Sequence, residues 1–140
     1  AAYEKYGGPL IIVDFGTATT FDVVSQKGEY LGGAISPGVQ LSLEALFKSA
    51  AMLPRVDMAE PEYVIGKSTI ESIHSGTVYG FVGMIDGMVL RIQEELQQKT
   101  QVIGTGGIVD LIASKTKTID IIDPFLTLEG LRIIHRRNQG

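Results

Sequence analysis

Apolar residues run unbroken from Leu10 to Val13 and then meet Asp14 and Phe15, in the stretch LIIVDF. A run of this length reads as a central strand buried on both faces. Thr19–Val24 is a second run, rich in β-forming residues. Ser25-Gln26-Lys27-Gly28 is a turn, and Glu29–Ser36 is a third run with Gly32-Gly33 inside it. Three runs joined by short turns predict an antiparallel meander. From Pro37-Gly38 onward the period changes. Val39, Leu43, Leu46, Phe47 and Ala50 share one face at helical spacing, so a helix follows the third strand.

Pro54 and the acidic stretch Asp57–Glu62 form a connection to a long helical region, Gly66–Gln98. Its core stripe is Phe81, Ile85, Met88, Val89, Ile92 and Leu96. Gly76, Gly80, Gly83 and Gly87 share one side of the same helix. A glycine in a helix costs about 1 kcal/mol relative to alanine, so something should compensate. Two explanations are open: close approach of another helix, within the domain or across a dimer, or a kink near Gly83. Gln101–Gly104 is a short strand, Thr105-Gly106-Gly107 leads into a helix through Ser114, and Ile119–Ile122 is a further buried strand. Asp123-Pro124 breaks the chain before a last helix, Phe125–Arg137. At the other end, Ala1–Tyr6 reads as the tail of a helix stopped by Gly7-Gly8-Pro9. The order βββ, α, α, β, α, β, α is that of an α/β, ribonuclease-H-like domain, one lobe of the acetate and sugar kinase, Hsp70 and actin superfamily. Order alone is an analogy and assigns no function.

Composition narrows the chemistry. The 140 residues suit a single domain. Absence of cysteine excludes disulfides, thiolate metal sites and a cysteine nucleophile. His74 and His135 are the only histidines, which argues against zinc. No apolar run approaches the roughly 20 residues of a membrane span, and the opening AAYEKYGG has no apolar core of a signal peptide. The net charge of −4 argues against nucleic acid as a partner. Arg132, His135, Arg136 and Arg137 form the one basic cluster, read as the solvated end of a helix. The 17 glycines, about twice the usual share, lie inside patterned segments and mark tight turns and close backbone approaches.

Two short motifs carry candidate chemistry. In VDFGTATTFD, Val13–Asp22, a strand ends in an acid, a glycine and three threonines. Gly16 lets a phosphate approach the backbone, and the hydroxyls of Thr17, Thr19 and Thr20 are candidate donors to it. Asp14, an anion itself, would hold a cation or an ordered water beside the phosphate. Asp22 is either a second polar residue of the site or a solvent-facing strand residue. In Thr105-Gly106-Gly107, backbone N–H groups at a helix start would bind an anion, and the glycines would admit a flat nucleotide. Each motif alone also fits an ordinary turn; together, in this order, they are a stronger signal. The glycines of GGAISPG, Gly32–Gly38, either permit close strand packing or floor a ligand site that the next helix start faces. Gly66-Lys67-Ser68-Thr69 imitates the end of a P-loop, but Pro61 stands where the first glycine belongs. Ser68 or Thr69 reads instead as a helix cap, and His74 as an exposed helix residue.

VDFGTATTFD, GGAISPG, GKSTIESIHSG and TGG, in this order, resemble the type III pantothenate kinases, from Gly8 to about Arg136. The family name also covers Bvg-accessory-factor-like regulators. The resemblance implies a cytoplasmic, two-lobed, generally dimeric kinase that phosphorylates pantothenate with ATP and Mg²⁺ and requires K⁺ or another monovalent cation. This is the first committed step toward coenzyme A. It implies K⁺ at Asp14, ATP at Gly16, Thr17, Gly106 and Gly107, and pantothenate at Thr69 near a subunit interface. The family's D-x-G-N-T and G-A-D-R-type motifs have no counterpart here. The resemblance is therefore to the C-terminal half only, with residues 1–7 closing a helix that begins before them. The catalytic base, an aspartate, is expected in the missing N-terminal lobe, and the 140-residue chain alone is expected to be inactive. A non-catalytic regulatory or accessory ligand-binding module of the same fold is the alternative. A kinase of the same superfamily acting on another alcohol is a third reading.

Overall fold

A computed structural model describes residues 1–140. The elements follow in chain order: α1 (Ala2–Tyr6), β1 (Leu10–Phe15), β2 (Ala18–Val24), β3 (Tyr30–Pro37), α2 (Val39–Ser49), α3 (Thr69–Leu96), β4 (Gln101–Gly106), α4 (Val109–Ala113), β5 (Ile121–Ile122) and α5 (Leu126–Asn138). The strands form one mixed sheet in the order β3-β2-β1-β4-β5. β2 runs antiparallel to both β1 and β3, whereas β4 runs parallel to β1 and to β5.

β1 is central because both its faces are apolar. Ile11, Val13 and Phe15 join Phe21, Val23 and Val102 in a core that Val78, Ile85 and Val89 of α3 and Val109, Ile112 and Ala113 of α4 complete. Leu10 faces the other way and packs with Ala2, Ile103 and Leu126 beneath α1 and α5. The second core lies toward the start of β1. Directly opposed residues share a face, so Ile35, Thr20, Asp14 and Thr105 form a row across four strands on that same second face. Ile35 is 82% exposed. No helix of the structure is long and apolar enough to cross a membrane.

Two expectations need correction, and one of the alternatives for the α3 glycines is removed. Ile119–Ile122 is not a full buried strand: only Ile121 and Ile122 pair with β4, and Ile122 is exposed. Ahead of that pair, the Asp120 carboxylate accepts the Val102 N–H at 2.8 Å, so a side chain replaces a regular rung of the ladder. In α2, Val39 and Leu43 are buried but Leu46 is exposed, beside an open cleft. The glycines of α3 are not approached by another helix of this chain. A side-chain carbon added at Gly76, Gly80, Gly83 or Gly87 would meet nothing within 4 Å. The buried residues Val78, Ile85 and Val89 turn toward the sheet, which leaves the glycines on the outer side.

One buried carboxylate ties the chain's first helix to the sheet. Asp123 accepts from Lys5 Nζ at 2.7 Å, from the Tyr6 hydroxyl at 2.6 Å and from the Phe125 backbone N–H at 3.1 Å. Its own N–H donates to the Gly104 carbonyl at 2.9 Å, next to the glycine turn that ends β4. The hydrogen bond from Lys5, and then that from Tyr6, holds the Asp123 carboxyl below the usual carboxylate range. Its stabilisation is therefore full above the unfolded value of about 3.9 and fades as pH falls through the lower folded value. Asp123→Ala, which strands the Tyr6 hydroxyl and Phe125 N–H, should cost about 1–3 kcal/mol in urea unfolding at pH 7. The difference from wild type should shrink below about pH 3.9.

Candidate functional site

The two glycine motifs lie side by side. β1 and β4 are parallel neighbours, with Asp14 paired to Thr105 and Phe15 to Gly106, so both strands release their loops at the same edge. Gly16 donates its N–H to the Ala18 carbonyl at 3.1 Å, which folds the β1–β2 connection into a tight turn. Gly16 and Thr17 are exposed on that turn. Gly106 has φ +106°, and an added side-chain carbon would lie 2.6 Å from the Phe15 carbonyl oxygen and 2.7 Å from its nitrogen. Only glycine lets β4 approach β1 this closely at that angle. Gly107, by contrast, is exposed and has no atom within 4 Å of its vacant side-chain position.

The start of α2 closes the third side. Gly38 caps this 11-residue helix with no side-chain cap. Its N–H donates to the Thr17 carbonyl at 3.1 Å. An added carbon at Gly38 would sit 2.2 Å from that oxygen and 2.6 Å from the Gly16 oxygen. The first turn of α2 contains no acid to compete for its amides. The positive end of a helix dipole therefore abuts the Gly16-Thr17 turn.

Asp14 is half-buried on the second face of the sheet. Burial pushes its carboxyl above the usual carboxylate range, and the charge of Asp22 adds to the shift. The five ion pairs of the chain all lie elsewhere. An unpaired carboxylate in such a position favours an added cation. No group of three or more acidic, histidine or cysteine side chains is placed to hold a metal by itself.

The threonines divide by strand alternation. Thr17 is exposed at the turn. Thr19 points into the core and is fully buried, and its hydroxyl has no partner. It is no phosphate donor, contrary to the reading from sequence. Thr20 shares the face of Asp14 and donates its hydroxyl to Asp22 at 3.3 Å. Asp22 is a second polar residue beside Asp14, and its other oxygen accepts from the Tyr30 hydroxyl at 3.0 Å. Tyr30 was not a candidate from sequence; its pairing opposite Val24 across an irregular register leaves no local signal.

Thr69 stands apart from this edge. It is the first residue of α3, exposed, and lines a cleft of about 850 Å³ between α2 and α3 with Leu43, Leu46, Ile73 and Phe81. The cap reading of the false P-loop is correct: Ser68 Oγ accepts the Glu71 N–H at 3.1 Å. His74 is half-buried rather than exposed, because its Nε2 lies 2.8 Å from the Asp57 carbonyl oxygen and pins the connecting loop to α3.

The sequence model for type III pantothenate kinase matches residues 1–91, which include Asp14, Gly16, Thr17 and Thr69. The chain belongs to the type III pantothenate kinase family. A type III pantothenate kinase of Myxococcus xanthus is 56% identical over 100% of this chain and 55% of its own length. One from Moorella thermoacetica is 54% identical over 99% of this chain and 54% of its own length. The chain thus spans about half the length of the curated relatives it matches. Gly106 and Gly107 lie beyond the matched model but within the alignment to the Myxococcus protein. Among solved structures, a protein from Campylobacter jejuni described as a Baf family transcriptional activator superposes with a TM-score of 0.66. At 22% identity over 99% of this chain and 61% of its own, it supports the fold alone.

The two glycines of the type III kinase TGG motif should respond differently to substitution. Gly106→Ala is expected to cost about 1–3 kcal/mol in thermal or urea unfolding, through strain at positive φ and collision with Phe15. Gly107→Ala should change stability by less than about 0.5 kcal/mol, as at an unencumbered surface position.

Proposed function

We propose that the complete protein transfers the γ-phosphoryl group of ATP to the primary hydroxyl of pantothenate, and that this chain supplies one of its two lobes. One observation carries the reading. The Asp14–Gly16–Thr17 turn and the Thr105–Gly106–Gly107 turn emerge together from adjacent parallel strands, with the start of α2 against the first. Phosphoryl transfer asks mainly for positioning and charge neutralisation, which exposed amides, a hydroxyl and a held cation provide. In this reading Gly16 and Thr17 contact the phosphates, and Gly106 and Gly107 lie along the nucleotide. The strand order, with β2 antiparallel to its neighbours, supports a ribonuclease-H-like lobe of the sugar kinase, Hsp70 and actin type.

A monovalent cation fits the donor chemistry at Asp14, where an unpaired, half-buried carboxylate lies beside the Thr20 oxygen. Bound there, K⁺ would supply positive charge between carboxylate and phosphate. Mg²⁺ would arrive with the nucleotide. In this reading Asp14 would be committed to the cation, and Asp22 is engaged by Thr20 and Tyr30. The resemblance to the family implies that the base comes from the other lobe. The cleft at Thr69 is offered to pantothenate. The four uncovered glycines of α3, with Tyr63, Val64 and Ile65 exposed nearby, support a homodimer.

A coupled assay of the complete protein with ATP, Mg²⁺ and pantothenate tests the proposal. Turnover is expected with K⁺ and not with a bulky organic cation, and Asp14→Ala should lower it by at least about tenfold, as loss of a metal ligand does. The 140-residue chain alone should form no phosphopantothenate. If the complete protein fails to turn over with any monovalent cation, the kinase reading is wrong and a regulatory ligand-binding module of the same fold takes its place.

A further inference from the structure

The sequence offered Thr20 as a donor to phosphate. The geometry reverses its polarity. A carboxylate is acceptor-only, so the contact from Thr20 Oγ1 to Asp22 must use the threonine proton. What Thr20 has left is a pair of oxygen lone pairs. Thr20 is the cross-strand partner of Asp14, and directly opposed side chains stand about 5 Å apart on one face. Two oxygen acceptors side by side repel a phosphate and suit a cation.

The orientation of Thr20 is itself held. Asp22 follows it by two residues on β2, on the same face, and Tyr30 on the edge strand fixes the second Asp22 oxygen. Tyr30 Oη, Asp22 and Thr20 Oγ1 thus form a chain of two hydrogen bonds running along the sheet toward Asp14.

We infer that Thr20 supplies a second oxygen to the monovalent cation at Asp14, and that Asp22, steadied by Tyr30, is the positioning residue that keeps Thr20 in its accepting orientation. The inference rests on the cation reading of Asp14.

The test uses the complete protein, with K⁺ titrated against tetramethylammonium at constant ionic strength and read as thermal stabilisation. Melting in tetramethylammonium alone reports folding separately from cation binding. Thr20→Val and Asp22→Leu, which leaves Thr20 no acceptor at that position, should each weaken K⁺ binding about tenfold, the loss seen when a ligand or its supporting partner is removed. Thr20→Ser, which keeps the hydroxyl, should restore K⁺ binding toward the wild-type value. A purely structural role would lower the melting temperature in both salts alike and leave the K⁺ midpoint in place. Wild-type K⁺ midpoints in Thr20→Val, or in a folded Asp22→Leu, would overturn the inference while leaving Asp14 as a ligand. An unchanged midpoint in Asp14→Ala would overturn both the inference and the reading beneath it.

Discussion

The contact between Gly106 and the backbone of Phe15 places everything else at the candidate site. A side chain at residue 106 would lie 2.6 Å from the Phe15 oxygen, so β4 could not hold its register with β1 to the end of both strands. That register puts Asp14 beside Thr105 and brings both glycine turns to one edge. Gly38 repeats the device on the other side, where α2 begins against the Gly16-Thr17 carbonyls. Three backbone segments thus converge with almost no side chain between them. Such a surface exposes amides and a helix dipole, which are suited to an anion.

Charge at this edge is arranged in two layers. The start of α2, with the positive end of its dipole against the turn, is the positive layer. Beneath it, on the second face of the sheet, the half-buried Asp14 and the tethered Asp22 are the negative one. An anion approaching the turn would face these carboxylates unless a cation lay between. This layering is the physical reason for including a cation at Asp14 in the proposed function. The same reasoning assigns Thr19, Thr20 and Thr17 three different roles despite their closeness in sequence. Alternation sends Thr19 to the core and Thr20 to the acid face, while Thr17 remains on the turn.

Much of this was legible before any coordinates. β1 was bounded correctly because its apolar run is continuous and ends in a glycine turn, and a cap at Ser68 or Thr69 was readable, which the structure places at Ser68. The two glycine turns were visible as short motifs, but their adjacency is a property of parallel pairing over some ninety residues of separation, which no local pattern encodes. β5 was overestimated because an apolar run at the sheet's edge looks like one at its centre. The role of the α3 glycines stayed open for a related reason: spacing identifies a face and says nothing of what covers it. The Lys5–Asp123–Tyr6 cluster and the Tyr30–Asp22 bond were illegible, since each joins residues whose contact exists only after the sheet has formed.

The most direct test is a crystal structure of the complete protein with a non-hydrolysable ATP analogue and thallous ion in place of K⁺. The account predicts terminal phosphates at the Gly16-Thr17 turn, the nucleotide along Gly106-Gly107, and an anomalous thallium peak between Asp14 and the phosphates. Phosphates bound elsewhere, for example at the start of α3, with no peak beside Asp14, would contradict it.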